Sequence, residues 1–130
     1  MSDALAKVGG MSRDEMSVIE RIHGGAGSIW FTELFGADDF ATPWRFIHYA
    51  ILPPGEGIGH HGHEDSEEVF VTLDNAAQLT HNGRTTETVG GTTVPLRAGE
   101  THAIYNHTDR DTHFLNFHVV DPKGEPRVVE

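Results

Sequence analysis

The sequence predicts an all-β protein, built as an antiparallel sandwich or small barrel. Its β-rich segments are short, Gly, Pro, Asn and Asp separate them at close intervals, and little helical periodicity lies between them. The chain has 130 residues, which is about the length of one domain. We therefore expect a single hydrophobic core.

The predicted strands follow one another from residue 28 onward. They span residues 28–35, 44–52, 68–73, 78–81, 85–89, 92–96, 102–105 and 113–120. Pro53-Pro54-Gly55 ends the second of them, and Asn82-Gly83 is the dipeptide most typical of a tight type I′ hairpin. The β-domain is predicted to cover residues 28–122.

The ends of the chain carry less pattern. Residues 1–27 are predicted to form a loose arm or an arm with one turn of helix, within residues 12–20, where Ser12 and Glu15 have the spacing of a capping box. Residues 123–130 are predicted to be a tail.

Composition restricts the function classes. The net charge is −11 with nine Lys and Arg, which argues against binding to nucleic acid. Mean hydropathy is −0.37 and no apolar stretch approaches the ~20 residues of a membrane span, so we expect no membrane association. The amino terminus also lacks the features of a secretory signal, and the expected location is cytoplasmic. The chain has no cysteine, so any metal must bind to His, Asp or Glu.

One segment has the composition of a metal site. Residues 59–68 read GHHGHEDSEE. In a strand, residues two apart share a face, so His61 and His63 present both imidazoles together. Glu68 opens the next strand and His102 opens a later one, and an antiparallel barrel would bring all four to its mouth. This ligand set predicts one divalent transition metal (Fe, Mn, Ni, Cu or Zn) with positions left open for water, substrate or dioxygen.

The longer spacing pattern resembles the paired motifs of the cupin superfamily. The positions that carry the resemblance are Gly55, His61, Gly62, His63 and Glu68, then Gly91, Gly99, His102 and Asn106. The resemblance implies a double-stranded β-helix, or jelly-roll barrel, that is usually dimeric and holds one divalent metal near its mouth. We therefore expect a homodimer.

Two positions depart from the family pattern. Asn75 replaces a glycine, and we expect it to adopt the same left-handed backbone. Arg97 replaces a proline and is a candidate for binding a substrate carboxylate or phosphate, with a solvated turn residue as the alternative.

The roles of the neighbouring polar residues stay open. Glu67 and Glu68 both suit the ligand position; we prefer Glu68, with Glu67 pointing outwards and available to handle protons. The adjacent residues His48 and Tyr49 are candidates for proton transfer, and Asn116 and His118 for the substrate pocket, although alternation alone does not say which strand face is inside.

Three functions agree with these residues. The first is a metalloenzyme acting on a small molecule, most simply a dioxygenase-type oxidoreductase. The second is a lyase, isomerase or epimerase that uses the metal as a Lewis acid. The third is a binding module that captures a sugar or small acid without turnover. A metal-free pocket, in which the histidines bind substrate or act as acid and base, is the alternative to a metal site.

Overall fold

The computed structural model of the protein describes residues 13–120. Within that range, ten strands form two antiparallel sheets and the only helical elements are short 3-10 turns, so the predicted all-β fold is confirmed. The strands are β1 (Ser17–Glu20), β2 (Ser28–Gly36), β3 (Trp44–Leu52), β4 (Gly57–Gly62), β5 (Ser66–Thr72), β6 (Ala77–His81), β7 (Arg84–Thr88), β8 (Thr93–Leu96), β9 (Thr101–Tyr105) and β10 (Thr112–Val120). None of the helical turns between residues 13 and 120 is long and apolar enough to cross a membrane. Residues 1–12 of the predicted arm and the whole predicted tail (123–130) lie outside the described residues.

The two sheets enclose one core, as expected for a jelly-roll barrel. One sheet has the order β1-β2-β3-β10-β5-β8 and the other has the order β4-β9-β6-β7. The buried side chains between them come from both sheets: Ile29, Ala50, Leu52, Phe70, Ala77, Leu79, Leu96, Ile104 and Phe114. Burying apolar surface between two sheets is the main source of stability in such a fold.

Local sequence explains the tightest connection. The β6–β7 hairpin turns at Asn82 and Gly83, with φ of 49° and 80°, and His81 pairs with Arg84 across it. A type I′ turn requires positive φ at both central residues, which Asn and Gly tolerate best.

The segment at residues 12–20 contains a strand that the sequence did not predict. In the described part, a 3-10 turn spans Arg13–Glu15 and β1 follows it, pairing antiparallel with β2 from Ser17 opposite Phe31 to Glu20 opposite Ser28. The β-branched pair Val18-Ile19 suits a strand, and pairing with the edge of a distant segment outweighs the local capping pattern.

Asn75 also differs from expectation. Its backbone is not left-handed. Its buried amide nitrogen instead donates to the hydroxyl oxygens of Thr108 and Thr112, at 2.7 and 3.0 Å, and approaches the carbonyl oxygens of Arg110 and Asp111 at 3.3 Å. The Asn75 side chain therefore ties the β5–β6 turn to the loop before β10.

Candidate metal centre

Four side chains from three strands and one loop converge inside the barrel. His61 lies on β4 directly opposite His102 on β9, Glu68 lies on β5, and His63 follows the end of β4. The carbonyl of His63 accepts a 2.7 Å hydrogen bond from the Gly99 amide, which fixes this loop against the β8–β9 turn. One donor atom from each of the four residues lies within 4.8 Å of the other three.

The tautomer of His61 is determined by its own strand. Its Nδ1 lies 2.8 Å from the carbonyl oxygen of Gly59. A carbonyl can only accept, so Nδ1 carries the proton and the neutral ring keeps a free lone pair on Nε2. A backbone partner of this kind orients a metal-binding histidine.

Glu68 is the centre of the group. Its side chain is 4% exposed, and its Oε1 lies 2.8 Å from Nε2 of His63, while its Oε2 lies 3.7 Å from Nε2 of His102. His118, opposite Glu68 on β10, places its Nδ1 3.4 Å from Oε1. One buried carboxylate therefore faces three imidazoles.

The donor set fits a divalent transition metal. Two ligand atoms at ~2.1 Å from one ion are at most ~4.2 Å apart, so small side-chain rotations would bring these four atoms to one ion. Both ring nitrogens of His102 and Oε2 of Glu68 are buried without a hydrogen-bond partner among the described residues. Unpartnered buried polar atoms are costly, and a bound cation would satisfy them. This cluster could hold a metal.

Burial sets the charge of these groups. It lowers the pKa of His61 to about 4 and the pKa of His102 to about 3, with smaller contributions from neighbouring histidines. Burial also raises the pKa of Glu68, while His63 and the Asn116 amide oppose that rise. At neutral pH the imidazoles of His61 and His102 are therefore in the neutral form that binds metals.

The cluster lies at one end of a cavity of ≈ 290 Å³. Strand pairing arranges the inner face of the six-stranded sheet in rows. A metal row contains Phe46, His118 and Glu68, and a middle row contains Glu33, His48, Asn116 and Phe70. An apolar row contains Phe31, Ala50 and Phe114 and ends at the buried Thr72. The other sheet follows the same order, with the pair His61 and His102 beside the metal row and the pair Ile58 and Ile104 further along.

Comparison with known proteins gives the family. The family model described as the cupin domain matches residues 48–118. The chain belongs to the cupin family.

Relatives of this cupin come from several bacteria. A protein of Thermotoga maritima named as an oxalate-binding protein is 28% identical over 97 residues, which are 75% of this chain and 80% of that protein. A crystal structure described as a predicted oxalate decarboxylase from Thermotoga maritima is 25% identical, with a TM-score of 0.80 over 84% of this chain and 96% of the other. A Cupin 2 conserved barrel domain protein from Salinispora arenicola, 19% identical, has the same fold with a TM-score of 0.71 over 91% of each chain.

Strand alternation separates the adjacent candidates His48 and Tyr49 in this cupin. His48 faces the cavity, where its Nε2 lies 3.1 Å from Oε1 of Glu33 and its ring stacks on Phe46 with centroids 3.6 Å apart. Tyr49 faces the opposite side of the sheet, where it is buried in a second apolar cluster and its hydroxyl is hydrogen-bonded to Nδ1 of His113. The structure therefore brings His48, and not Tyr49, to the cavity.

Glu67 and Arg97 also lie away from the cavity. Glu67 is exposed on the outer side of β5, and its Oε2 accepts a hydrogen bond of 3.3 Å from the Ala98 amide. Arg97 is exposed in the turn after β8, where its amide donates to Oε1 of Glu100 at 2.8 Å. In contrast, Asn116 and His118 both line the cavity. Alternation along β5 explains the position of Glu67, since Glu68 occupies the inner face.

Sequence reasoning missed a cation beside the centre. Arg45 lines the cavity, and its charge lowers the pKa of both Glu68 and His118. The pairing of β3 with β10 shifts register here, from His118 opposite Phe46 to Val119 opposite Trp44, so Arg45 is the extra residue of a bulge. A bulge re-aims a side chain against simple alternation, and no local sequence signal reveals it.

His23 is the second residue that the sequence did not indicate. It lies in the 3-10 turn Ile22–Gly24 with a left-handed φ of 51°, and its ring stacks on His61 at 3.8 Å between centroids. The turn lies against β4 so closely that a Cβ on Gly59 would be 1.9 Å from the His23 carbonyl oxygen. The glycine at position 59 is thus required for this turn to cover the centre.

Proposed function

We propose that this cupin is a metal-dependent protein that binds a small organic acid inside its barrel. The observation that carries the proposal is the convergence of four donor atoms within 4.8 Å beside a cavity that three of the four residues line. In this proposal His61, His63, Glu68 and His102 hold one divalent transition metal. The names of the two Thermotoga maritima proteins, one as oxalate-binding and one as a predicted oxalate decarboxylase, support a small acid as the ligand.

The remaining cavity residues would bind and orient the acid. Arg45 supplies the positive charge that attracts a carboxylate, and the buried Oδ1 of Asn116, which has no partner among the described residues, can accept a hydrogen bond from a hydroxyl. When bound, the metal would supply Lewis-acid or redox chemistry to oxygen atoms of the ligand.

His48 is the residue we propose for proton transfer. Its Nε2 faces the carboxylate of Glu33, so in the neutral ring Nε2 carries the proton and Nδ1 is the acceptor. A carboxylate partner orients an imidazole and stabilises its charged form. Tyr49 and Glu67 have no part in this proposal, because neither faces the cavity.

The reaction that we propose first is that of a dioxygenase-type oxidoreductase, and a metal-dependent lyase is the alternative. Oxygen consumption distinguishes the two, since only the first uses dioxygen. Capture of the acid without turnover is a further candidate, favoured by the relative named for oxalate binding. Saturable binding of oxalate with no product would identify that function.

Metal binding is tested by titrating the purified, chelator-treated protein with Fe, Mn, Ni, Cu and Zn and measuring the bound metal by elemental analysis. About one equivalent is expected in the wild type, with a large loss in His61→Ala. His60→Ala is the matched control, because His60 is exposed on the same strand and should keep its metal. A wild-type protein that retains none of the five metals would contradict the proposal.

We also propose that the protein is a homodimer that pairs through the outer face of its six-stranded sheet. Alternation places apolar side chains there that are only partly covered: Val69, Val71, Phe117 and Val119. Val119 is 38% exposed. A contiguous apolar face of this kind is typical of an interface between subunits.

A further inference from the structure

The cavity is polar at one end and apolar at the other, and this gradient specifies its ligand. Along each strand of the inner face, the metal row, the middle row and the apolar row follow at two-residue intervals. Residues in a strand rise about 3.3 Å, so the apolar row lies about 13 Å along the strands from the metal row. The facing sheet has the same gradient, because Ile58 and Ile104 follow His61 and His102.

The apolar end is lined by more than the inner face of the six-stranded sheet. Besides Phe31, Ala50 and Phe114, it is lined by Ile19 and Ile22, which the segment before β2 brings over the cavity. The whole cavity measures ≈ 290 Å³, close to the ~300 Å³ at which ligand pockets begin. A ligand as small as oxalate would occupy only the metal end and leave the space beside Ile19, Ile22 and Phe31 unfilled.

The polar end selects a negative head group with oxygen atoms. Arg45, which the bulge in β3 aims inward, is the arginine that lines the cavity among the described residues, and it supplies a positive charge at this end. The unpartnered Oδ1 of Asn116 adds an acceptor in the middle row, between the two ends. One end of the cavity therefore suits the charged head group of a ligand, and the other end suits an apolar body.

We propose that the ligand is an acid with an apolar body, such as an aromatic or branched 2-oxo or 2-hydroxy acid. Its carboxylate faces Arg45 and the centre, and its apolar body lies among Ile19, Ile22 and Phe31. This inference rests on the proposed function for the head group only. The apolar body of the ligand is specified by the apolar end of the cavity, whichever metal is bound.

Calorimetric titration with three probes tests the inference. Oxalate, pyruvate and phenylpyruvate present similar head groups and differ in the apolar body. For the metal-loaded protein we expect phenylpyruvate to bind about 10- to 100-fold more tightly than pyruvate, as burial of one phenyl ring predicts. In Phe31→Ala this preference should fall by about 10-fold while pyruvate affinity is unchanged. Phe40→Ala is the matched control, since Phe40 packs on Phe35 and Trp44 outside the cavity lining.

The possible outcomes separate the inference from the proposed function. Equal affinity for pyruvate and phenylpyruvate would overturn the inference and leave metal-dependent acid binding intact. A protein that takes up no metal but still prefers phenylpyruvate, with the preference lost in Phe31→Ala, would support the inference and contradict the proposed function. If no acid binds with or without metal, both are wrong. Circular dichroism of Phe31→Ala verifies that it folds; should it unfold, Ala50→Leu, which fills the apolar row, replaces it and should exclude phenylpyruvate but not pyruvate.

Discussion

Replacing Glu68 by glutamine should separate metal binding from folding. Glu68 is the carboxylate among the four converging side chains, and it is buried where burial raises its pKa. Glutamine keeps the shape and removes a buried negative charge. The metal-free Glu68→Gln protein should therefore be at least as stable as the wild type, because a neutral amide is less costly to bury than a carboxylate.

The magnitude follows from linkage. Free metal at 1,000 times its dissociation constant stabilises the folded wild type by about 4 kcal/mol. Removing a group that only hydrogen-bonds to a metal-binding side chain lowers the affinity for the metal by up to ~100-fold. Removing the Glu68 carboxylate itself should therefore lower that affinity by at least as much. The variant would then lose about 2.7 kcal/mol of metal-dependent stabilisation, or roughly 10 °C of melting temperature for a chain of this size.

Thermal unfolding followed by circular dichroism, with chelator and with added metal, measures both effects. The matched control is Glu67→Gln, which makes the same change one position away on the outer side of β5 and should keep the full metal-induced increase. If Glu68→Gln retains the wild-type increase, the carboxylate is not a ligand and the reasoning fails.

Two further predictions concern the fold and the assembly. Asn106→Ala should lower the free energy of unfolding, measured in urea titrations, by about 3 to 5 kcal/mol. The buried Asn106 side chain donates to the carbonyl oxygens of Leu52 and Arg110 and accepts from the amide and hydroxyl of Thr108, all at 2.7 to 2.9 Å. A loss under about 1 kcal/mol would contradict this prediction. Val119→Lys should shift the protein from dimer to monomer in sedimentation equilibrium while leaving its circular dichroism unchanged, and a variant that stays dimeric would show that the outer face is not the interface.

Much of the fold could be predicted because its signals are local. The predicted strand 44–52 matches β3 residue for residue. The dipeptide Asn82-Gly83 forms the hairpin turn that it predicts. β1 was missed because its strand state depends on pairing with β2, a contact that the segment's own sequence does not encode.

The candidate site divides in the same way. The spacing of the residues and the family resemblance predicted the four converging residues, and the structure places one donor atom of each within 4.8 Å of the others. Arg45 and His23 could not be found from the sequence, because a bulge aims the first and a turn folded back on β4 places the second. Tyr49 and His48 were equal candidates until the structure showed which face of β3 is inside.

The metal row also has a consequence for how the strands find their register. A slip of β10 against β5 by two residues would keep every side chain on its own face, so apolar patterning alone offers little resistance to it. Such a slip would move His118 away from Glu68 and set Asn116 or Val120 beside that buried carboxylate. The metal row thus disfavours a misalignment of β10 that the hydrophobic core would tolerate. The side chains that converge on the candidate metal centre therefore also specify a single strand pairing in the sheet.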